Sequence, residues 1–332
     1  MNALADRLAG LPDPDVDARY AVSARAAQVL RPAGALARFD EVAAWLAGWQ
    51  RTTTPAVRRP AALVFAADHG VAASAPVSAY ETSITAAMVS AFDREVATMS
   101  ALCRRGGATG DGVDGGVGRP TGDLRHEPAL DPARFDEVVE QAFGAVDRLD
   151  TDLLVVGELG IGNTTAAAAV AAALGGGDVA GWVGRGTGVS DEGLAAKVQA
   201  VSDGVERIRR EGVDDPIETL RHVGGAELVA MAAAVVAARH RSIPVVLDGY
   251  ISTASVFPLH VAAPGALDHC LPGHRSAEPG HGRLLDAAEL RPLLERDLRL
   301  GEGSGAMAAV PLVDLACASV VDVATFDEFF AE

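Results

Sequence analysis

Continuous apolar runs alternating with helical segments predict an α/β fold for this 332-residue chain, a parallel sheet covered by helices on both faces. Three runs carry the prediction: Ala61-Ala62-Leu63-Val64-Phe65-Ala66, Leu153-Leu154-Val155-Val156 and Ile243-Pro244-Val245-Val246-Leu247. None alternates polar with apolar residues, as a strand with one wet face does, so each reads as buried on both sides.

Taken in order, residues 1–50 read as short helices broken at Leu11-Pro12-Asp13-Pro14, and Arg51-Thr52-Thr53-Thr54-Pro55 as a linker. After the first strand, Met88, Phe92, Val96 and Met99 recur at helical spacing and predict one helix over 85–103. The segment 106–122 is glycine-rich and aperiodic, and reads as a mobile loop in preference to a distorted strand. Helices follow over 135–149, 164–174 and 225–239. Ser190 caps another, running to about Arg210, with Asp191 and Glu192 in its first turn and Arg207, Arg209 and Arg210 in its last.

Composition narrows the function. Apolar residues make up 49%, enough for a sizeable core, while aromatics are only 5%, so close backbone packing outweighs large side chains. A net charge of −17 repels nucleic acid and anionic membranes and excludes both as partners. A phosphate ligand must then be held locally, by backbone amides and a few cations, because salt screens remote charges. Three scattered cysteines, Cys103, Cys270 and Cys317, make neither a disulfide framework nor a zinc site and fit a reducing, cytoplasmic setting. The N-terminus, Met1-Asn2-Ala3-Leu4-Ala5-Asp6-Arg7, has no apolar core for a signal peptide. The longest apolar stretch, around 228–238, falls short of the roughly 20 residues that span a bilayer.

Several unusual motifs directly follow a predicted strand, where open parallel sheets bind ligands. Gly157-Glu158-Leu159-Gly160-Ile161-Gly162-Asn163-Thr164-Thr165 joins strand to helix and reads as a phosphate cradle or a tight turn. Asn163 stands where a triphosphate-binding loop carries lysine, which disfavours a nucleoside triphosphatase. Gly184-Arg185-Gly186-Thr187-Gly188 is a second glycine loop, and Lys197 in the next helix either reaches an anion or is solvated. Asp248-Gly249-Tyr250 offers a carboxylate to a sugar hydroxyl or caps the following helix. His274-Arg275-Ser276-Ala277-Glu278-Pro279-Gly280-His281 reads as a substrate wall, its spacing matching no familiar metal pattern. Glu302, between Gly301 and Gly303 and flanked by Leu300 and Ala306, is either a desolvated base or an exposed loop acid.

Together with Ala67-Asp68-His69-Gly70-Val71 and His222-Val223-Gly224-Gly225-Ala226-Glu227, these motifs resemble, in order over about 60–330, the nicotinate-nucleotide–dimethylbenzimidazole phosphoribosyltransferase family, which prepares the lower ligand of cobalamin. The resemblance implies a large Rossmann-like α/β domain at 55–300 and a small helical domain from both termini, 1–54 and 301–332. It also implies a homodimer with its sites near the subunit interface, and needs no cofactor or metal. The implied reaction moves phosphoribose from nicotinate mononucleotide to 5,6-dimethylbenzimidazole or a related base, yielding α-ribazole 5′-phosphate and nicotinate. By motif match Glu302 is the general base and Glu158 a supporting carboxylate. Gly160, Gly162, Asn163, Thr164, Gly186, Thr187, Gly188 and Lys197 surround the phosphate. Asp248, Arg275 and Ser276 take the nicotinate and ribose side, and Ser78, Ala87 and Leu300 the base side. The chain departs from the family in Glu81, where proline is usual, in Ala87, where a base-facing glutamine is usual, and in 106–117, which replaces an apolar strand leading to an aspartate matched by Asp114. The rival readings are a nucleotide-dependent kinase or hydrolase built on the 157–164 loop, and a non-catalytic nucleotide sensor in which Glu302 is dispensable.

Overall fold

A computed structural model describes residues 3–331; Met1 and Asn2, where the expectation of no signal peptide begins, and Glu332 lie outside the described residues. Its main sheet contains β1 (Pro60–Ala66), β2 (Thr109–Asp114), β3 (Leu153–Leu159), β4 (Val245–Leu247) and β5 (Cys270–Pro272). The order is β2-β1-β3-β4-β5 with every neighbour parallel. The three apolar runs are thus the three central strands. The chain turns one way from β1 and the other way from β3, which sets the topological switch point between these two strands.

Alternate side chains of the sheet enter different cores. Ala62, Val64, Leu153, Val155, Val246 and Leu271 share one cluster with residues of helices Ala37–Gln50, Thr98–Gly106 and Ser304–Val321. Leu63, Phe65, Leu154, Val156, Val245 and Leu247 share the other with residues of helices Pro132–Asp147, Asn163–Gly175, Ala226–His240 and Tyr250–Ala262. Both faces are dry, which is why the strands lack polar alternation. Helices from the two termini meet in the first layer, where Val29 and Thr325 form a bridge and Arg25 pairs with Glu328 at 2.9 Å. The apolar stretch 228–238 is the buried body of Ala226–His240. Among the described residues Ser304–Val321, and not 228–238, is the helix long and apolar enough by length and composition to cross a membrane, and 56% of it is buried within the protein.

Two expectations are corrected. The segment 106–122 contains an ordered edge strand, β2, paired with β1 from Thr109 to Asp114. Gly110 and Gly112 leave room for the ring of Phe92 on its surface, so the strand's packing partner lies outside its own sequence. The helix expected over 85–103 is two helices, Ser83–Asp93 and Thr98–Gly106. Between them Glu95 takes a left-handed conformation (φ 56°) and Val96 stands 66% exposed, off the apolar face its spacing implied.

Helix Ser304–Val321 seats on the sheet through glycine. At Gly157 in β3 a Cβ would land on the backbone of Glu302 and Gly303, and at Gly273 another would land on that of Ala306. Backbone cannot swing aside as a flexible side chain does, so Gly157→Ala is expected to force the 301–306 turn off the sheet. The expected loss is about 1–3 kcal/mol of unfolding free energy, and urea unfolding checks it; an unchanged midpoint would contradict this packing.

Candidate functional site

Beyond the carboxyl ends of β3 and β4 lies a cavity of about 430 Å³. Four carboxyl groups line it: Glu158, Asp248, Glu278 and Glu302. Glu158 lies in β3, at its carboxyl end, buried, and accepts a hydrogen bond from the Asn163 side-chain amide. Burial, and then the neighbouring Asp248 and Glu227 carboxylates, push its pKa well above the ordinary carboxylate value.

Glu302 is only 3% exposed, which settles the open choice in favour of the desolvated carboxyl group. Gly301, Glu302 and Gly303 are successive left-handed residues, with φ of 87°, 62° and 84°. For a non-glycine residue such as Glu302 this conformation costs about 1–2 kcal/mol, so surrounding contacts must impose it. Asp248 does so: its Oδ2 accepts from the Gly303 amide (3.2 Å) and its Oδ1 from the Ala306 amide (2.9 Å). The Glu302 amide donates to the Glu158 carbonyl at 3.2 Å. Asp248 therefore caps a helix, but the distant Ser304–Val321 and not the one that follows it. The Glu302 carboxylate itself accepts from the Met99 amide (3.4 Å), in the first turn of Thr98–Gly106. Burial raises the Glu302 pKa, the Met99 amide partly offsets that rise, and Asp248 adds to it.

The two glycine loops meet in the same cavity, where Gly160, Asn163, Thr164, Gly186 and Thr187 line it. Lys197, the only lysine of the chain, is buried and donates to Thr164 Oγ1 at 2.9 Å. Burial lowers its pKa to about 8, against a smaller opposing effect of Glu278. Gly186, itself left-handed, lies against this pair: a Cβ there would stand 3.0 Å from Thr164 Oγ1 and 3.1 Å from the ammonium nitrogen. Arg185 turns away, to the Val189 carbonyl and Asp191.

Of the other residues singled out from sequence, Leu300 and Ser276 line the cavity, with Ser276 Oγ buried and without a hydrogen-bond partner. Gly162, Gly188, Lys197, Arg275, Ser78 and Ala87 are not part of its wall. Gly162 (φ 98°) turns the loop into Asn163–Gly175 from behind, and Arg275 points outward, 3.7 Å from Glu295. Ala87 is exposed, whereas Ile84, Thr85 and Met88 of the same helix face the cavity. Helical spacing identifies that face only once one of its members is anchored, as Thr85 is by accepting from the Ile161 amide at 3.3 Å. Tyr80, Ile251 and Arg299 also line the cavity and carried no sequence signal of their own. His274 and Glu278 join the wall, while His281 stands behind it with both ring nitrogens engaged. Among the described residues no group of three or more His, Cys, Asp or Glu side chains is arranged to hold a metal.

A cavity at the carboxyl ends of a parallel sheet, bordered by two glycine-rich loops and four carboxyl groups, is an arrangement suited to a phosphate-handling α/β enzyme. The chain matches a family model described as phosphoribosyltransferase over residues 11–329. It is 44% identical over 318 residues to the nicotinate-nucleotide–dimethylbenzimidazole phosphoribosyltransferase of Cereibacter sphaeroides, covering 96% of this chain and 93% of the relative. It is 46% identical over 321 residues to the protein of the same name from Methylocella silvestris, covering 96% and 92%. The crystal structure of CobT from Thermus thermophilus superposes with a TM-score of 0.90 at 38% identity, covering 95% of this chain and 98% of that one. The chain belongs to the nicotinate-nucleotide–dimethylbenzimidazole phosphoribosyltransferase family.

Asp248→Asn keeps the side chain's shape but turns one acceptor into an N–H donor facing a backbone amide. Loss of a hydrogen bond to a charged group costs about 1.5–3 kcal/mol. Urea unfolding is expected to report a loss of that size, together with loss of the slow hydrogen exchange of the Gly303 and Ala306 amides. Wild-type protection at both amides would refute the capping role.

Proposed function

We propose that the chain transfers the phosphoribosyl group of nicotinate mononucleotide to 5,6-dimethylbenzimidazole or a related base, releasing nicotinate and α-ribazole 5′-phosphate in assembly of the cobalamin nucleotide loop. The observation that carries this reading is a buried carboxyl group of raised pKa, Glu302, sharing one cavity with the amide-rich loops around Gly160 and Gly186. Gly160, Gly186, Thr187, Thr164 and, behind them, Lys197 take the phosphate, supported by Gly162 and Gly188 as turn glycines. Asn163 serves that loop indirectly, because its amide is committed to Glu158. The same commitment disfavours a kinase or hydrolase, which needs a cation at this position.

The pyridinium ring and the ribose lie toward Asp248 and Ser276, with Arg275 at the outer edge. The incoming base stacks between Leu300 and the face of Ile84 and Met88, with Ser78 and Ala87 bordering the entrance. A ring nitrogen of that base attacks C1′ as the bond to nicotinate breaks. Nicotinate departs with relief of its positive charge, and Glu302 accepts the N–H proton of the attacking ring. Carboxyl groups around C1′ suit the positive charge that ribose gathers in such a transfer, and holding both rings in register supplies much of the acceleration. Metal and cofactor play no part in this reading. We place the enzyme in the cytoplasm as a homodimer, with neither nucleic acid nor membrane as partner. The exposed Tyr80, Ile84 and Leu300 at the cavity mouth support a second subunit seated there.

Incubating the protein with nicotinate mononucleotide and a panel of bases is expected to release nicotinate, and absence of release with all of them would defeat the proposal. Glu302→Gln is expected to lower turnover by roughly 10²–10⁴-fold with little change in KM for the nucleotide. Unchanged turnover would favour a sensor. The pH dependence of kcat/KM has two limbs. It falls on the acid side as Glu302 takes up its proton, above the usual carboxylate range. It falls on the alkaline side near pH 8 as Lys197 loses its charge. Lys197→Met is expected to raise KM for the nucleotide and abolish the alkaline limb; a limb that persists would assign it to another group.

A further inference from the structure

His281 belongs to none of the walls just described, yet two of them hang from it. It lies in the first turn of helix Pro279–Ala287, fully buried. Its Nδ1 receives the Ser276 amide N–H at 2.8 Å, so Nδ1 carries a lone pair and no proton. Its Nε2 lies 3.0 Å from Thr253 Oγ1. That hydroxyl has one hydrogen and donates it to the Gly249 carbonyl at 2.9 Å, so the contact with the ring requires Nε2 to donate. The proton's place on the ring is thereby set by its partners, and a second proton would confront an N–H.

The surroundings oppose a charged ring. The His274 and Tyr250 rings approach edge-on at 6.3 and 6.2 Å. Burial first, then His274 and Arg275, push the His281 pKa down to about 3. Three hydrogen bonds therefore run in one direction, from Ser276 N–H through His281 and Thr253 to the Gly249 carbonyl. They join two residues that line the cavity from different elements, and Ser276 Oγ, buried and unpartnered, is displayed at the end of the chain.

We propose that His281 is a positioning residue for substrate binding: its neutral, Nε2-protonated ring fixes the Ser276 backbone so that the Ser276 hydroxyl meets an acceptor on the leaving half of the nucleotide. This rests on the reading of the cavity as a nicotinate mononucleotide site. His281 exchanges no proton with substrate.

The test uses the full chain and three variants. Thr253→Val keeps the volume but removes the acceptor for Nε2–H. His281→Leu removes both contacts, and His281→Asn retains an acceptor where Nδ1 stood. KM for nicotinate mononucleotide is expected to rise about ten-fold in Thr253→Val and His281→Leu, the loss of roughly one hydrogen bond. In both, kcat stays near wild type and both limbs of the pH profile stay in place. His281→Asn is expected to recover most of the affinity. Wild-type KM in folded Thr253→Val, or His281→Asn no better than His281→Leu, would overturn the proposal, as would a pH limb that moves in His281→Asn. Should wild type release no nicotinate, the functional reading fails by itself. Nitrogen-15 spectra of the His281 ring then still decide the tautomer, with protonated Nε2 and bare Nδ1 down to about pH 5 expected from the lowered pKa and a charged ring refuting it.

Discussion

Carboxyl groups gathered away from water, with scarcely a cation among them, set the terms for the rest of this structure. Glu158, Asp248 and Glu302 share one wall, and Glu227 lies buried behind it, 2.5 Å from His69 Nε2. An isolated buried charge is expensive, and a protein meets that expense by pairing, by hydrogen bonding or by retaining a proton. Here the donors are backbone amides at helix starts. The first turn of Thr98–Gly106 donates to Glu302, and the start of Ser304–Val321 donates to Asp248. Helix dipoles favour negative charge at those ends. Glu158 has the side-chain amide of Asn163 and holds its proton well above the ordinary range.

This solution ties catalysis to topology. The two helices that supply the amides pack on the same sheet face and begin at the same rim, beside β3. Their starts depend on interruptions that a smoother sequence would lack. The chain breaks at Glu95, releasing the Met99 amide, and folds through three left-handed residues before Ser304. Gly157 then lets that turn lie directly on the strand. Strain at Glu302 is tolerable because Asp248, the Glu158 carbonyl and the Met99 amide hold it from three sides.

The same physics explains what was legible in the sequence. The central strands were, because burial on two faces writes an unbroken apolar run. Strand β2 was not, because Gly110 and Gly112 yield their surface to Phe92. Periodicity across 85–103 saw apolar spacing but not a left-handed Glu95, which no residue type announces. The glycine loops were readable, since positive φ and close approach leave glycine little competition. The carboxyl group of Glu302 was visible while its burial was not, because its neighbours come from β3, β4 and Thr98–Gly106. Asp248 stood out at a strand end, but the helix it caps starts more than fifty residues later, and spacing carries no information at that range.

Polarity is divided inside the cavity. One side offers glycine amides backed by a buried lysine, with Glu278 beside Gly184; the other carries Asp248 and Glu302, with Glu158 bonded to Asn163. Such a cavity selects against ligands whose negative charge is spread along their length, because several phosphates would have to extend into the acid wall. A compact ligand with one phosphate at one end and a cationic ring at the other meets both walls favourably. Once the ring leaves with the electron pair of the bond, its positive charge is neutralised, the acid wall loses its partner and the departing nicotinate, now anionic, is repelled from it. On the proposed reaction, the same carboxyl groups favour binding of the cationic ring and release of the anionic product.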